Sequence, residues 1–148
     1  MDSSPIAALV IIPIFLFFFA GMWMLVLSLI SVLGGWRSLA EKYPLSGIAA
    51  GKVLKSFSFC SLRLNLFATY SKTLRITIHE GGIVLSPIFI YKFMHKPIFI
   101  PWEHIEGVEK KHAFFSYRYK LQVNMRELQF YGNAGEEIYG YYQHFLKP

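Results

Sequence analysis

The sequence predicts an α+β protein: an N-terminal transmembrane helix, then a bent β-sheet or partly open barrel of about seven strands, capped by a C-terminal helix. Three observations predict it. No Asp, Glu, Lys or Arg occurs between Asp2 and Arg37. From Lys52 onward the apolar residues recur with period two, the spacing of half-buried strands. After Asn133 the apolar spacing becomes helical.

The first element is almost wholly apolar from Ile6 to Leu33. As a helix it is roughly 42 Å long at 1.5 Å per residue, whereas a bilayer core of about 30 Å needs only ~20 such residues. Residues 1–35 are therefore assigned as a membrane anchor. A cleaved signal peptide needs a basic start and an apolar core of only about 7–15 residues. Here the chain starts Met-Asp-Ser-Ser-Pro, the apolar run is too long, and it ends Leu33-Gly34-Gly35-Trp36. Pro13 is tolerable in a span whose neighbours satisfy the freed carbonyl. The cluster Phe15, Phe17, Phe18, Phe19 and Trp23 lacks the small-residue face of a tight helix dimer.

All fifteen basic residues lie at Arg37 or later, against eight of the nine acids, so the part after the span carries +7. The N-terminal flank has Asp2 and no Lys or Arg, while Arg37, Lys42, Lys52 and Lys55 follow the span. The positive-inside bias then places the N-terminus outside and the C-terminal domain in the cytoplasm, single-pass; the cell inner membrane is the expected location. The same basic balance suits anionic lipid headgroups better than nucleic acid.

Residues 36–51 form an interfacial helix and linker. Trp36, Leu39, Ala40 and Tyr43 make one apolar face, and Pro44 ends the helix. Trp36 is expected as an interfacial anchor at headgroup level, with Arg37 marking the water boundary. Leu45 to Gly51 is rich in small residues.

In the remaining domain, residues 52–148, Phe57 and Phe59 alternate with polar residues, and so do Leu62, Leu64 and Leu66. The phase slips near Cys60-Ser61, which predicts a bulge in a long first strand. Leu74, Ile76 and Ile78 mark a second strand, and Glu80-Gly81-Gly82 a turn. Ile83 to Leu85 is a short strand that Ser86-Pro87 should interrupt. Lys92, His95 and Lys96 argue against a second span in the apolar stretch up to Ile100. Pro97 to Trp102 and Gly107 to Ala113 are further strands, followed by a hairpin tip at Phe114-Phe115-Ser116-Tyr117. Arg118 to Met125 and Leu128 to Tyr131 are the last strands. Asn133 as N-cap with Glu136 makes a capping box, and Ile138, Tyr141, Tyr142 and Phe145 form the helix stripe.

This order of strands and one closing helix resembles the pleckstrin-homology-like (PH-like) arrangement over residues 52–148. A second resemblance lies in Gly35-Trp36, Leu39-Ala40, Tyr43-Pro44, Gly82, Leu85-Ser86, His95, Pro97 and Ile100-Pro101-Trp102-Glu103-His104-Ile105. This pattern is similar to small uncharacterised bacterial single-pass membrane proteins with a PH-like domain. That set carries no agreed activity to transfer.

Catalytic patterns are absent from the sequence. His79, His95, His104, His112 and His144 form no ligand pair, Cys60 is alone, and Ser86 lacks a nucleophile elbow. There is no P-loop and no Gly-rich dinucleotide fingerprint. A non-enzyme without cofactor, metal or nucleic-acid partner is expected.

Two segments stand out for mixing cations with bulky apolar residues: Tyr91 to Lys96 and Lys110 to Arg118. Lys92, Phe93, His95, Lys96, Lys110, Lys111, Phe114, Phe115 and Arg118 are the candidate binding residues. Lipid contact, protein contact and packing on the domain's own core all fit this composition. PH-like domains that bind headgroups are similar in using basic inter-strand loops, although no compact Lys-x-Arg pattern is present. The expected role is a membrane-anchored accessory module that docks to a membrane protein complex. The alternative is a sensor of anionic phospholipid headgroups.

Overall fold

Helix α1, Ser4–Leu33, contains no charged residue and turns almost all of its side chains outward; only Leu27 and Ser31 are buried. It is long and apolar enough to cross a membrane. The structure is a computed structural model and describes residues 4–45, 50–65, 68–88, 92 and 95–146. The chain leaves α1 through Gly34 and Gly35, the latter at φ 81, and enters helix α2, Trp36–Lys42. A side chain at Gly34 would strike Ala68 Cβ at 2.5 Å and the Ile30 carbonyl oxygen at 2.6 Å. The joint between the two helices is therefore closed, not a free linker.

The strands are β1 (Val53–Arg63), β2 (Thr69–His79), β3 (Gly82–Pro87), β4 (Ile98–Pro101), β5 (Ile105–Ala113), β6 (Ser116–Val123) and β7 (Arg126–Tyr131). They form one antiparallel open sheet in the order β4-β3-β2-β1-β7-β6-β5. Helix α3, Gly132–Tyr141, follows β7, with a π-helical turn over Tyr142–Leu146. β1 is the shared strand: it pairs with β2 along its length, but with β7 only at Leu62–Phe130 and Arg63–Gln129. Register shifts flank Cys60, and Phe59 takes φ 56. This is the bulge anticipated from the phase slip. It turns Phe59 outward while Cys60 and Leu62 face the core.

The core follows the alternation. Leu74, Ile76 and Ile78 of β2, Ile83 and Leu85 of β3, and Leu121 and Val123 of β6 are all buried. On α3, Ala134, Gly135 and Ile138 face the sheet. A side chain at Gly135 would come within 3.0 Å of Tyr119 Cγ and 3.2 Å of Phe130 Cβ, so glycine lets helix and sheet close together. Tyr141 and Tyr142 pack at the edge of the same core. The side chain of Phe145 lies outside the described residues.

Four local expectations are corrected. Ser86 and Pro87 stay in the β3 ladder opposite Arg75 and Leu74. β4 reaches only Leu85, so no β4 partner stands beside Pro87 to need its missing N–H. β6 ends at Val123, and Met125 belongs to the β6–β7 turn, where Asn124 and Met125 both have positive φ (48 and 63). α3 has no side-chain cap: Gly132, at φ 68, makes the turn out of β7, and Tyr131 holds the N-cap position. Finally, the apolar face of α2 lies in the domain core: Trp36, Leu39, Ala40 and Tyr43 are all buried there. The α2 end is tied to β4 by a hydrogen bond from Phe99 N to Tyr43 O of 3.0 Å and a bridge between Pro44 and Ile98.

Gly82 illustrates how tightly β3 and β4 approach. An added Cβ would collide with the Ile100 carbonyl oxygen and sit 2.8 Å from Pro101 Cα, both backbone atoms. Gly82→Ala should therefore destabilise the domain by at least ~2 kcal/mol. Gly107, with nothing within 4 Å of the same position, should tolerate Ala with a change of at most about 1 kcal/mol. Thermal melts of the two variants check the contrast.

Candidate functional site

The candidate residues fall in three places. The first is the β5–β6 hairpin. Ala113 pairs with Ser116, leaving Phe114 and Phe115 as its two-residue turn. Phe114 takes φ 40, a left-handed conformation that favours glycine, and the rings are 89% and 102% exposed. The sequence packs neither ring onto the core.

Strand alternation sorts the cations of this hairpin. Lys110 shares a face with Tyr117 and Tyr119, and its Nζ lies 4.2 Å from the Tyr117 ring centroid. Lys111 and Arg118 are opposite one another on the other face. With Lys120 and Phe114 they line a shallow hollow of about 330 Å3. Like charges directly opposite are unfavourable in a ladder. Lys120 is matched by Glu127 at 3.0 Å, and its hydrogen bond holds that carboxyl below the usual range. Lys111 reaches Glu109 only at 3.7 Å, and Arg118 has no acidic partner among the described residues.

The second place is the β3–β4 segment. Lys92 is exposed and lines a hollow of about 240 Å3 with Arg75, Phe59 and Pro87. Phe93 lies outside the described residues. His95 is 1% exposed. Its Nε2 lies 3.0 Å from the Tyr70 hydroxyl, and its ring meets those of Trp36 and Tyr70 edge-on at 5.5 and 5.4 Å. His95 is thus a core residue, and the exposed headgroup or partner contact expected of it is corrected. The hollows at Lys92 and at Lys111 share no lining residue, and their hairpins sit at opposite ends of the strand order. Among the described residues, no hollow is lined by both basic segments.

The third place is the junction of α1 and α2. Trp36 is 0% exposed, packs on Tyr70 and His95, and donates from Nε1 to the Lys96 carbonyl at 2.9 Å. The interfacial anchor expected at Trp36 is corrected: its ring is inside the protein and not on its surface. Arg37, next in sequence, is exposed and pairs with Glu41 at 3.3 Å. Arg126 donates to the Gly35 carbonyl (3.0 Å) and to Ser38 Oγ (2.8 Å), while Asn65 Nδ2 donates to the Gly34 carbonyl (3.1 Å). Sequence reasoning missed Arg126 and Asn65 as clamps. The paired glycines between two helical segments were the available signal, since close approach is what glycine permits. A cleft of about 350 Å3 opens beside this joint, lined by residues of both helices and by Lys96.

Among the described residues no three His, Cys, Asp or Glu side chains gather as a metal site. Burial pushes the Cys60 thiol above its ordinary value, the opposite of what a nucleophile needs.

No protein-family model and no curated protein matches the sequence. Among solved structures the chain is similar to the Vps36 N-terminal PH domain, at 13% identity and a TM-score of 0.46, over 60% of this chain and 74% of that one.

Burial also pushes the Tyr70 hydroxyl well above the usual phenol range, and those of Tyr43 and Tyr119 upward. These groups hold their protons more tightly folded than unfolded. Once the pH passes the ordinary values of 9.0 for the thiol and 10.0 for the phenols, the unfolded chain loses protons first and stability falls. The Tm should drop steadily as pH is raised from about 9 to 11. Tyr70→Phe should flatten that dependence while lowering the Tm at neutral pH, because it leaves His95 Nε2 without its hydroxyl partner. Melts across pH of wild type and variant measure both effects.

Proposed function

We propose that this protein is a non-catalytic, membrane-anchored binding module that docks onto a membrane protein complex at the cytoplasmic face through its β5–β6 tip. The observation that carries this is the presentation of Phe114 and Phe115. Two phenyl rings stand in water on a turn whose φ of 40 at Phe114 would suit glycine better. Burial against a partner would recover roughly 25 cal/mol for each Å2 of apolar surface covered. Exposed aromatics with a cationic rim have the composition of an interface centre, and Lys110, Lys111 and Arg118 favour an acidic partner.

The membrane part of the reading is supported by the length and apolarity of α1 and by the charge imbalance across it. An anionic-headgroup sensor built from the two basic segments is the second reading, favoured by the adjacency of Lys111 and Arg118. Two observations weigh against it: His95 is buried, and the two hollows share no residue.

A photo-reactive phenylalanine analogue at position 115 of the full chain should give one discrete crosslinked protein adduct in native membranes. Phe114→Ala should weaken that adduct at least fivefold without lowering the Tm, a loss of about 1 kcal/mol or more. Crosslinking only to lipid, or a variant that melts early, would remove the docking role from the tip. The orientation is checked separately: a tag after Pro148 should be inaccessible from outside intact cells. Labelling of that tag on intact cells would overturn the cytoplasmic placement.

A further inference from the structure

We infer that the cleft between the last turns of α1 and α2 is a headgroup site for one anionic phospholipid of the bilayer that α1 crosses. The inference rests on α1 being a span, but not on docking by the hairpin. α1 is 30 residues long, about 45 Å, and the hydrocarbon core takes only about 30 Å of it. A surplus of several residues, including Ser28, Ser31 and Val32 on the cleft wall, can therefore stand at headgroup level. The first cation of the chain, Arg37, enters at the same place, and Lys96 arrives from the β3–β4 segment to face it.

The charge balance fits a single phosphodiester. Glu41 is the one carboxylate on the cleft wall, and it pairs with Arg37 at 3.3 Å. Lys96 has no ion pair among the described residues, so two cations and one acid leave a net +1. Ser28 adds a hydroxyl, and Ala40 and Pro44 supply an apolar wall for the glycerol end. A volume of about 350 Å3 is at the small end of the range for ligand sites. Toward the bilayer the outer face of α1, with Leu25 and Leu29 exposed, continues from the site as a track for acyl chains.

The site is also preformed. Its floor is Trp36, fully buried, and the indole holds the Lys96 carbonyl at 2.9 Å, so the lysine backbone is fixed before any lipid arrives. Arg126 and Asn65 lock the opposite side through the Gly35 and Gly34 carbonyls. Of the two basic segments singled out in the sequence this site uses only Lys96, joined to residues of α1 and α2.

The full-length protein is reconstituted in nanodiscs of phosphatidylcholine and phosphatidylglycerol, and the lipid retained after release is identified by native mass spectrometry. Wild type should keep one phosphatidylglycerol above the proportion in the disc. Lys96→Gln should lower that preference about fivefold, as expected for one basic residue at an anionic surface. Lys96→Arg should retain it, and Lys111→Gln with Arg118→Gln should leave it unchanged. Equal retention by Lys96→Gln and wild type, or retention in the same ratio as the disc, overturns the site. Alkaline carbonate extraction of native membranes separates the two failures. If wild type is stripped, the span falls and the site with it; if wild type stays embedded without lipid preference, the site alone falls.

Discussion

The burial of one indole ring organises this molecule. Trp36 stands where an apolar helix gives way to a charged chain, a position at which tryptophan commonly faces lipid headgroups. Here it is instead the point at which three segments meet. Its ring packs on Tyr70 of β2 and on His95, its Nε1–H is satisfied by the Lys96 carbonyl, and its own helix brings Leu39, Ala40 and Tyr43 into the same core. A buried indole N–H without a partner would cost on the order of 1–3 kcal/mol. The β3–β4 segment is therefore held where its carbonyl can meet that need. With Trp36 in place, α2 becomes a lid of the domain and α1 starts from a fixed point.

The sheet shows a related economy at β1. One strand serves two halves, pairing with β2 throughout and with β7 at only two positions. A flat continuation of seven strands would leave its apolar face too wide for one short helix to cover. The bulge around Cys60 and the brief β1–β7 seam bend the halves toward each other. α3 closes one side through Gly135 and Ile138, and α2 closes the other through Leu39 and Tyr43. The bend is thus placed where the register shifts.

Much of this was legible from period and apolar length. The alternation of Leu74, Ile76 and Ile78 and the phase slip near Cys60 follow from side-chain direction, which local sequence determines, and α1 was legible from its uncharged apolar length. Three things were not legible. Pro87 reads as a strand breaker unless the length of the neighbouring strand is known, and β4 is not in register with it. His95 and Trp36 read as surface residues because their partners, Tyr70 and Lys96, are distant in sequence. The junction cleft needed Arg37 and Lys96, which only the tertiary fold brings together. Phe114 and Phe115 were legible as a hairpin tip, but their exposure depended on nothing else folding over them.

The closed joint at Gly34 and Gly35 has a mechanical consequence. Arg126, which clamps it, begins β7 at the β6–β7 turn, and the Phe114–Phe115 tip lies at the other end of β6. β6 is eight residues long, roughly 25 Å at the usual strand rise. The hairpin is thus a rigid arm pivoted on the helix end. A flexible tether would let the tip sweep a volume and meet partners in any attitude. An arm without a swivel offers its rings at one radius and one bearing, so rotation of the helix about its axis carries the tip around a fixed arc.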